Sequence, residues 1–163
     1  MAREQHGIEP VYDARSRILI LGSFPSVKSR ETQFFYGHPQ NRFWRVLAAV
    51  TGQETPGSIP EKKKFLLQNR IALWDVIKSC EIEGSSDSSI RDVEPNDVGR
   101  ILEAADILQI YANGGTAYRL YQRYLYPVTG REAVRLPSTS PANAGCSLEA
   151  LTEQWSVIWE WLK

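Results

Sequence analysis

The 163-residue chain contains two cysteines, two histidines and one methionine, and each scarcity removes a class of protein. Cys80 and Cys146 have no Cys-x-x-Cys or Cys-x-x-His companion, and His6 and His38 stand far apart, so no structural zinc site is spelled out. Two isolated thiols of this kind are expected to stay reduced and to carry no chemistry. No apolar run approaches the ~18 residues of a membrane span, and the polar start Met1-Ala2-Arg3-Glu4-Gln5 lacks a signal-peptide core. A soluble, cytoplasmic protein without a membrane partner is the expectation. Neither sign of charge prevails: 19 basic residues face 19 acidic ones, so a nucleic-acid partner would have to be held by a local patch. The G-x-G-x-x-G of dinucleotide folds and the phosphate-cradling Walker loop are also missing, since only Gly22 follows the first apolar run before Phe24 and Pro25.

What is present fits one domain over residues 1–163, with 42% apolar content to build its core. Short apolar runs at 17–22, 71–77, 107–112 and 133–136 read as buried strands. Helical signals fill the gaps. Ser58 and Glu61 have capping-box spacing, and Pro95 opens a segment with Val98, Ile101, Leu102 and Ala105 on one face. Ser147 can cap a last helix with the core stripe Leu148, Leu151, Trp155, Ile158, Trp159 and Leu162. Alternating strands and helices predict an α/β fold: a three-layer α/β/α sandwich with a central four-stranded parallel sheet. The loops after Gly22, Ile77, Ala112 and Leu136 should then gather at one edge and line one pocket.

The connection after Gly22 is long and unusual in content. Ser23, Phe24, Pro25 and Ser26 are followed by Phe34-Phe35-Tyr36-Gly37-His38-Pro39-Gln40-Asn41-Arg42-Phe43-Trp44, which reads as an active-site wall. Some of these rings belong to the core, while Phe24 and Tyr36 are the best candidates to stack on a planar base. Asn41 either caps the Phe43-Trp44-Leu47-Val50 helix or turns its side-chain carbonyl to the crevice to hold a water. A hydrolase reading would join Ser23, His38 and Asp75, although Ser23 is not in a G-x-S-x-G elbow. Asp75 alternatively reads a base, acts as a base, or is a satisfied strand-end carboxylate. Asn113-Gly114-Gly115 is a tight turn or a set of amides near a phosphate, and the serine-rich 83–89 segment is a solvated loop or a phosphate contact. Lys28, Arg30, Arg42 and Arg45 form a phosphate-binding strip or a solvated face. The rigid Leu136-Pro137-Ser138-Thr139-Ser140-Pro141 segment presses on a sugar-phosphate backbone or is a plain turn.

Together, Gly22-Ser23-Phe24-Pro25-Ser26, His38-Pro39-Gln40-Asn41-Arg42-Phe43-Trp44 and Leu136-Pro137-Ser138-Thr139-Ser140-Pro141 resemble the motifs of the uracil-DNA glycosylase superfamily, in its hypoxanthine (deoxyinosine) branch. The resemblance implies cofactor- and metal-independent release of a damaged base from a flipped-out deoxynucleotide in base-excision repair. It implies a catalytic Asn41, because Phe24 stands where mismatch-specific uracil relatives carry the water-positioning Asn. Pro137-Ser138 lacks the histidine of the common uracil enzymes, which leaves backbone amides or a hydroxyl such as that of Ser138 to support the departing base. Ser23, Phe24, Phe35, Tyr36 and Asp75 are expected at the base. Ser26, Lys28, Arg30, Arg42, Ser140, Pro141 and Asn143 are expected at the DNA backbone, and no residue stands out as the duplex wedge, since Ala142 and Ala144 are small. The implied partner of this monomer is damaged double- or single-stranded DNA. A uracil or mismatch-specific glycosylase, or a small-molecule hydrolase or nucleotide-binding domain on the same sandwich, remain the alternatives.

Overall fold

Every residue of Ile18–Gly22 and Ile71–Asp75 is buried, the signature of strands covered on both faces. In the computed structural model, which describes residues 3–163, the strands are β1 (Arg3–Gln5), β2 (Ile18–Gly22), β3 (Ile71–Asp75), β4 (Ile77–Glu81), β5 (Arg91–Pro95), β6 (Gln109–Asn113) and β7 (Ala133–Leu136). The main sheet is parallel in the order β3-β2-β6-β7 and is flanked by helices, as the alternation of elements predicts. Gly22 lies opposite Asp75, and Asn113 opposite Leu136, so all four strands end in one row. The chain leaves β2 toward β3 on one side and returns to β6 on the other. Loops therefore part above Gly22 and Asn113, the switch point where such sheets hold their ligands.

The helices are α1 (Val27–Thr32), α2 (Phe43–Thr51), α3 (Ile59–Gln68), α4 (Gly99–Ala104), α5 (Gly115–Leu120), α6 (Tyr126–Thr129), α7 (Leu148–Trp155) and α8 (Trp159–Leu162). α3 starts at the capping box: Ser58 Oγ accepts from the Glu61 N–H at 3.2 Å and donates to Glu61 Oε1 at 2.9 Å. Ser147 caps α7 by accepting from the Ala150 N–H at 3.1 Å.

Three sequence expectations need correction. The run 71–77 is two strands, because Val76 and Ile77 turn to donate to the carbonyls of Gly22 (2.8 Å) and Ser23 (3.1 Å). Beyond that turn lies a three-stranded antiparallel sheet, β1-β4-β5, which the apolar pattern did not announce. Pro95 closes β5 instead of opening a helix, since the Asn96 N–H donates to Val76 O (2.8 Å) and its side chain to Asp75 O (3.0 Å), and α4 begins only at Gly99. The last helix is broken by a 3₁₀ turn, Ser156–Ile158, which changes the periodicity: Leu151, Trp155, Ile158 and Leu162 are buried, but Leu148 and Trp159 are exposed. Trp155 meets Phe43 of α2 edge to face at 5.9 Å, tying the chain terminus to the long connection after β2.

Candidate active site

Above the switch point lies a cavity of about 380 Å³, the size of a small-ligand pocket. Gly22, Asp75 and Asn113 contribute the ends of three strands. Ser23, Phe24, Ser26, Phe35, Tyr36, His38 and Asn41 form one wall, and Ser138, Thr139, Ser140 and Pro141 another. Residues from all three sequence motifs therefore converge on one space.

Tyr36 has a left-handed backbone with φ 51°, a conformation uncommon for a bulky residue and one that marks a constrained position. Its ring stacks on Phe43 at 4.1 Å, so one face is already covered. The hydroxyl reaches the strand ends, where it is buried without a hydrogen-bond partner among the described residues. Asp75 Oδ2 is in the same condition. Both groups press on Gly22: a Cβ at that position would lie 2.5 Å from Asp75 Oδ1 and 2.8 Å from the Tyr36 hydroxyl oxygen. Burial, and secondarily the charge of Asp87, pushes the Asp75 carboxyl up to about 7. Burial also raises the Tyr36 phenol, with the Asp75 charge adding to the effect and the neighbouring Asn113 amide, which makes no well-formed hydrogen bond to it, working against it. The site thus offers a neutral hydroxyl donor beside a buried carboxyl.

Asn41 caps α2 from one residue outside the nominal cap position. α2 has Arg42 at its cap without a side-chain bond. Instead, Asn41 Oδ1 accepts from the Phe43 N–H at 2.9 Å and from the Thr139 hydroxyl at 2.9 Å. The expectation that its carbonyl faces the crevice and holds a water is overturned, because that oxygen is already occupied on two sides. Asn41 nonetheless lines the cavity.

Ser23, His38 and Asp75 do not assemble into a triad. Ser23 Oγ donates to Asp87 Oδ1 at 3.1 Å, and His38 Nδ1 accepts from the Gln40 N–H at 3.1 Å. Phe24 lies edge to face with His6 at 5.3 Å, under the Arg30 guanidinium at 5.2 Å. Phe35 is buried, and its carbonyl accepts from the Trp44 indole at 3.3 Å.

Half of the basic strip is engaged internally. Arg30 pairs with Glu4 at 3.3 Å and donates to Gly84 O at 2.6 Å. Arg42 donates to the carbonyls of Cys146, Ser140 (3.3 Å) and Asn143 (3.0 Å), which makes it a brace for the loop after β7 rather than a free phosphate ligand. Asn143 faces that loop too, donating to Ser138 O at 3.0 Å. Of the expected cations, Lys28 and Arg45 are exposed and without an internal ion pair among the described residues. Ser138 Oγ accepts from the Ser140 N–H at 3.1 Å, and Ser140 Oγ from the Ala142 N–H at 3.1 Å, so both hydroxyls shape the loop while lining the cavity.

Three contributors escaped sequence reading as such. Asp87 comes from the serine-rich segment read as a solvated loop or phosphate contact. Thr139 is fully buried, and Asn113 had been read only through its turn. The strand-end row was the available signal for Asn113, because it stands level with Gly22 and Asp75 in the sheet.

Comparison with known proteins agrees with this fold. The sequence profile of the Uracil DNA glycosylase superfamily matches residues 9–163, and the chain belongs to that superfamily. Its similar relatives include a protein named hypoxanthine DNA glycosylase from Methanosarcina acetivorans, 39% identical over 155 residues, spanning 94% of this chain and 97% of that one. Another of the same name from Methanosarcina barkeri is 34% identical over 154 residues, spanning 94% and 96%. A solution structure of a candidate uracil DNA glycosylase from Methanosarcina acetivorans superposes with a TM-score of 0.80 at 38% identity, covering 94% of this chain and 95% of that one.

Proposed function

We propose that this protein is a monofunctional DNA glycosylase that hydrolyses the N-glycosidic bond of deoxyinosine in base-excision repair, releasing hypoxanthine and leaving an abasic site. The observation that carries this reading is the pair of buried polar atoms, Tyr36 Oη and Asp75 Oδ2, left unpartnered in two residues that line one cavity. Unpaired buried polar groups are costly, by roughly 1–3 kcal/mol each, and they are retained where a ligand completes them. Hypoxanthine fits that deficit. Its C6 carbonyl accepts from the Tyr36 hydroxyl, and its N1–H donates to the Asp75 carboxylate. Adenine presents the reverse pattern, a bare N1 and a donating amino group, and would leave the carboxylate facing a lone pair. The names of the 34–39% identical relatives support the same substrate.

The base must leave the duplex to enter the cavity, and a mispaired base unstacks at lower cost than a paired one. Lys28, Ser140 and Pro141 then stand nearest to the backbone of the flipped nucleotide. A second cleft, lined by Arg91, Arg119 and Arg123, adjoins the cavity through Asp87 and supplies further cations for flanking phosphates. In this reading the single domain acts as a cytoplasmic monomer on damaged DNA, double- or single-stranded.

Uracil excision is the second reading, because uracil carries the same N–H and C=O edge. Single-turnover assays on duplexes with one inosine, uracil or adenine decide between them. Alkali-labile cleavage at inosine, well above uracil and with adenine intact, is expected. Tyr36→Phe removes one donor and should slow inosine excision by ~10–100-fold. An intact inosine duplex, or equal cutting at adenine, contradicts the proposal.

A further inference from the structure

Two peptide N–H groups fix the direction of a part-buried chain of hydrogen bonds that ends at Asn41. Asn113 Oδ1 accepts from the Thr139 N–H at 3.1 Å, and a peptide N–H can only donate. The other half of that amide, Nδ2, therefore donates to Thr139 Oγ1 at 3.0 Å. The Thr139 hydroxyl must send its own proton onward, to Asn41 Oδ1 at 2.9 Å. At the far end, Asn41 Oδ1 accepts from the Phe43 N–H at 2.9 Å, which likewise can only donate. No link can be reversed without setting donor against donor, and Thr139 is fully buried, so solvent does not scramble the chain. Asn41 thus keeps its oxygen on the protein. Its Nδ2 has no hydrogen bond to any described residue, although Asn41 lines the cavity.

We infer that Asn41 serves as a hydrogen-bond donor to the departing base, and that Thr139 and Asn113 are positioning residues that hold its amide nitrogen toward the cavity. The inference rests on the glycosylase reading above. When the C1′–N9 bond breaks, its electron pair passes to the purine, and negative charge spreads over the ring nitrogens and O6. A pre-oriented N–H directed at that charge stabilises the transition state more than the ground state. Water then forms the new C–O bond at C1′, and the proton it sheds ends on the released hypoxanthine. A carbonyl that holds the attacking water needs a free lone pair, which Asn41 Oδ1 lacks.

Asn41→Asp separates donor from acceptor. At pH 8 an aspartate is an ionised acceptor without a proton to give, and it would serve a water-holding role at least as well as the amide. Under saturating enzyme, Asn41→Asp is expected to fall as far as Asn41→Ala, by ~10²–10³-fold on deoxyinosine duplexes. With 7-methyl-deoxyinosine at about pH 5.5, where N1 keeps its proton and an aspartate is still ionised, the base leaves as a neutral molecule, so the penalty of each variant, relative to wild type on the same substrate, should shrink to under ~10-fold. Thr139→Val should show the same substrate-dependent penalty and Thr139→Ser should restore activity, a pair that carries the test if the aspartate variant fails to fold. Retention of activity by Asn41→Asp within ~3-fold of wild type, or equal penalties on both substrates, overturns the inference. Wild-type protein that leaves deoxyinosine intact removes the glycosylase reading itself, and the inference with it.

Discussion

Gly22→Ala is expected to abolish base excision while leaving most of the fold in place. The added Cβ would meet Asp75 Oδ1 at 2.5 Å and the Tyr36 hydroxyl at 2.8 Å, closer than carbon and oxygen can approach. Neither neighbour is free to retreat: Asp75 is buried at a strand end, and Tyr36 is stacked on Phe43 at 4.1 Å with a left-handed backbone at φ 51°. Overpacking of this kind costs about 1–3 kcal/mol. The functional loss is larger, because one methyl group displaces both side chains proposed to read the base, and misplacement by an ångström slows catalysis by ~10²-fold or more. Single-turnover rates on an inosine duplex, read beside a thermal melt, check this. A variant that melts normally and cleaves at the wild-type rate would place base recognition elsewhere.

The second large effect concerns stability. The Asp75 carboxyl rises from its ordinary value of 3.8 to about 7 through burial first and the neighbouring Asp87 charge second. The folded protein therefore binds this proton more tightly than the unfolded chain does. Below pH 4 the group is protonated in both states and costs nothing; as pH climbs from about 4 to about 7, folding must retain a proton that the unfolded chain releases, and stability falls. The upper bound on that loss is ~4 kcal/mol above pH 7. Asp75→Asn removes the titration, so the variant should melt well above wild type at pH 8, and the difference should disappear toward pH 4. A variant that is no more stable than wild type at pH 8, or a difference independent of pH, refutes the assignment. A buried carboxyl kept at such a cost is typical of positions retained for ligand recognition rather than for folding.

The parallel sheet was legible because β2, β3 and the centre of β6 are short apolar runs covered on both faces, with the half-exposed β7 a shorter run at the edge, and the capped helices because Ser58 and Ser147 satisfy end N–H groups by local chemistry. The antiparallel sheet was not. In β4 the exposed Lys78 interrupts the apolar pattern, and β5 is mostly polar and partly exposed, so neither strand differs in composition from a loop. What places them is long-range pairing, which no local pattern records. The cavity wall was legible as a set of residue types: Asn41, Tyr36, Asp75 and Ser138 do meet in one place. Their working atoms were not. Tyr36 was read as a ring to stack on, yet Phe43 covers one face and the hydroxyl is the group left unpaired. Asn41 was read through its carbonyl, yet Thr139, 98 positions away, takes that oxygen. Arg30 and Arg42 looked like phosphate ligands until Glu4 and the loop carbonyls after β7 engaged them. Spacing identifies which side chains share a site, but hydrogen-bond direction is decided by partners distant in sequence.

The most direct measurement is a crystal structure with a duplex that carries 2′-fluoro-deoxyinosine, whose glycosidic bond resists hydrolysis. Hypoxanthine should lie in the cavity above Gly22, with N1 within about 3.2 Å of the Asp75 carboxyl, O6 at the same distance from the Tyr36 hydroxyl, and Asn41 Nδ2 directed at the purine. A base that remains stacked in the duplex, or one that enters with its N1–C6 edge turned away from Tyr36 and Asp75, would contradict the mechanism described above.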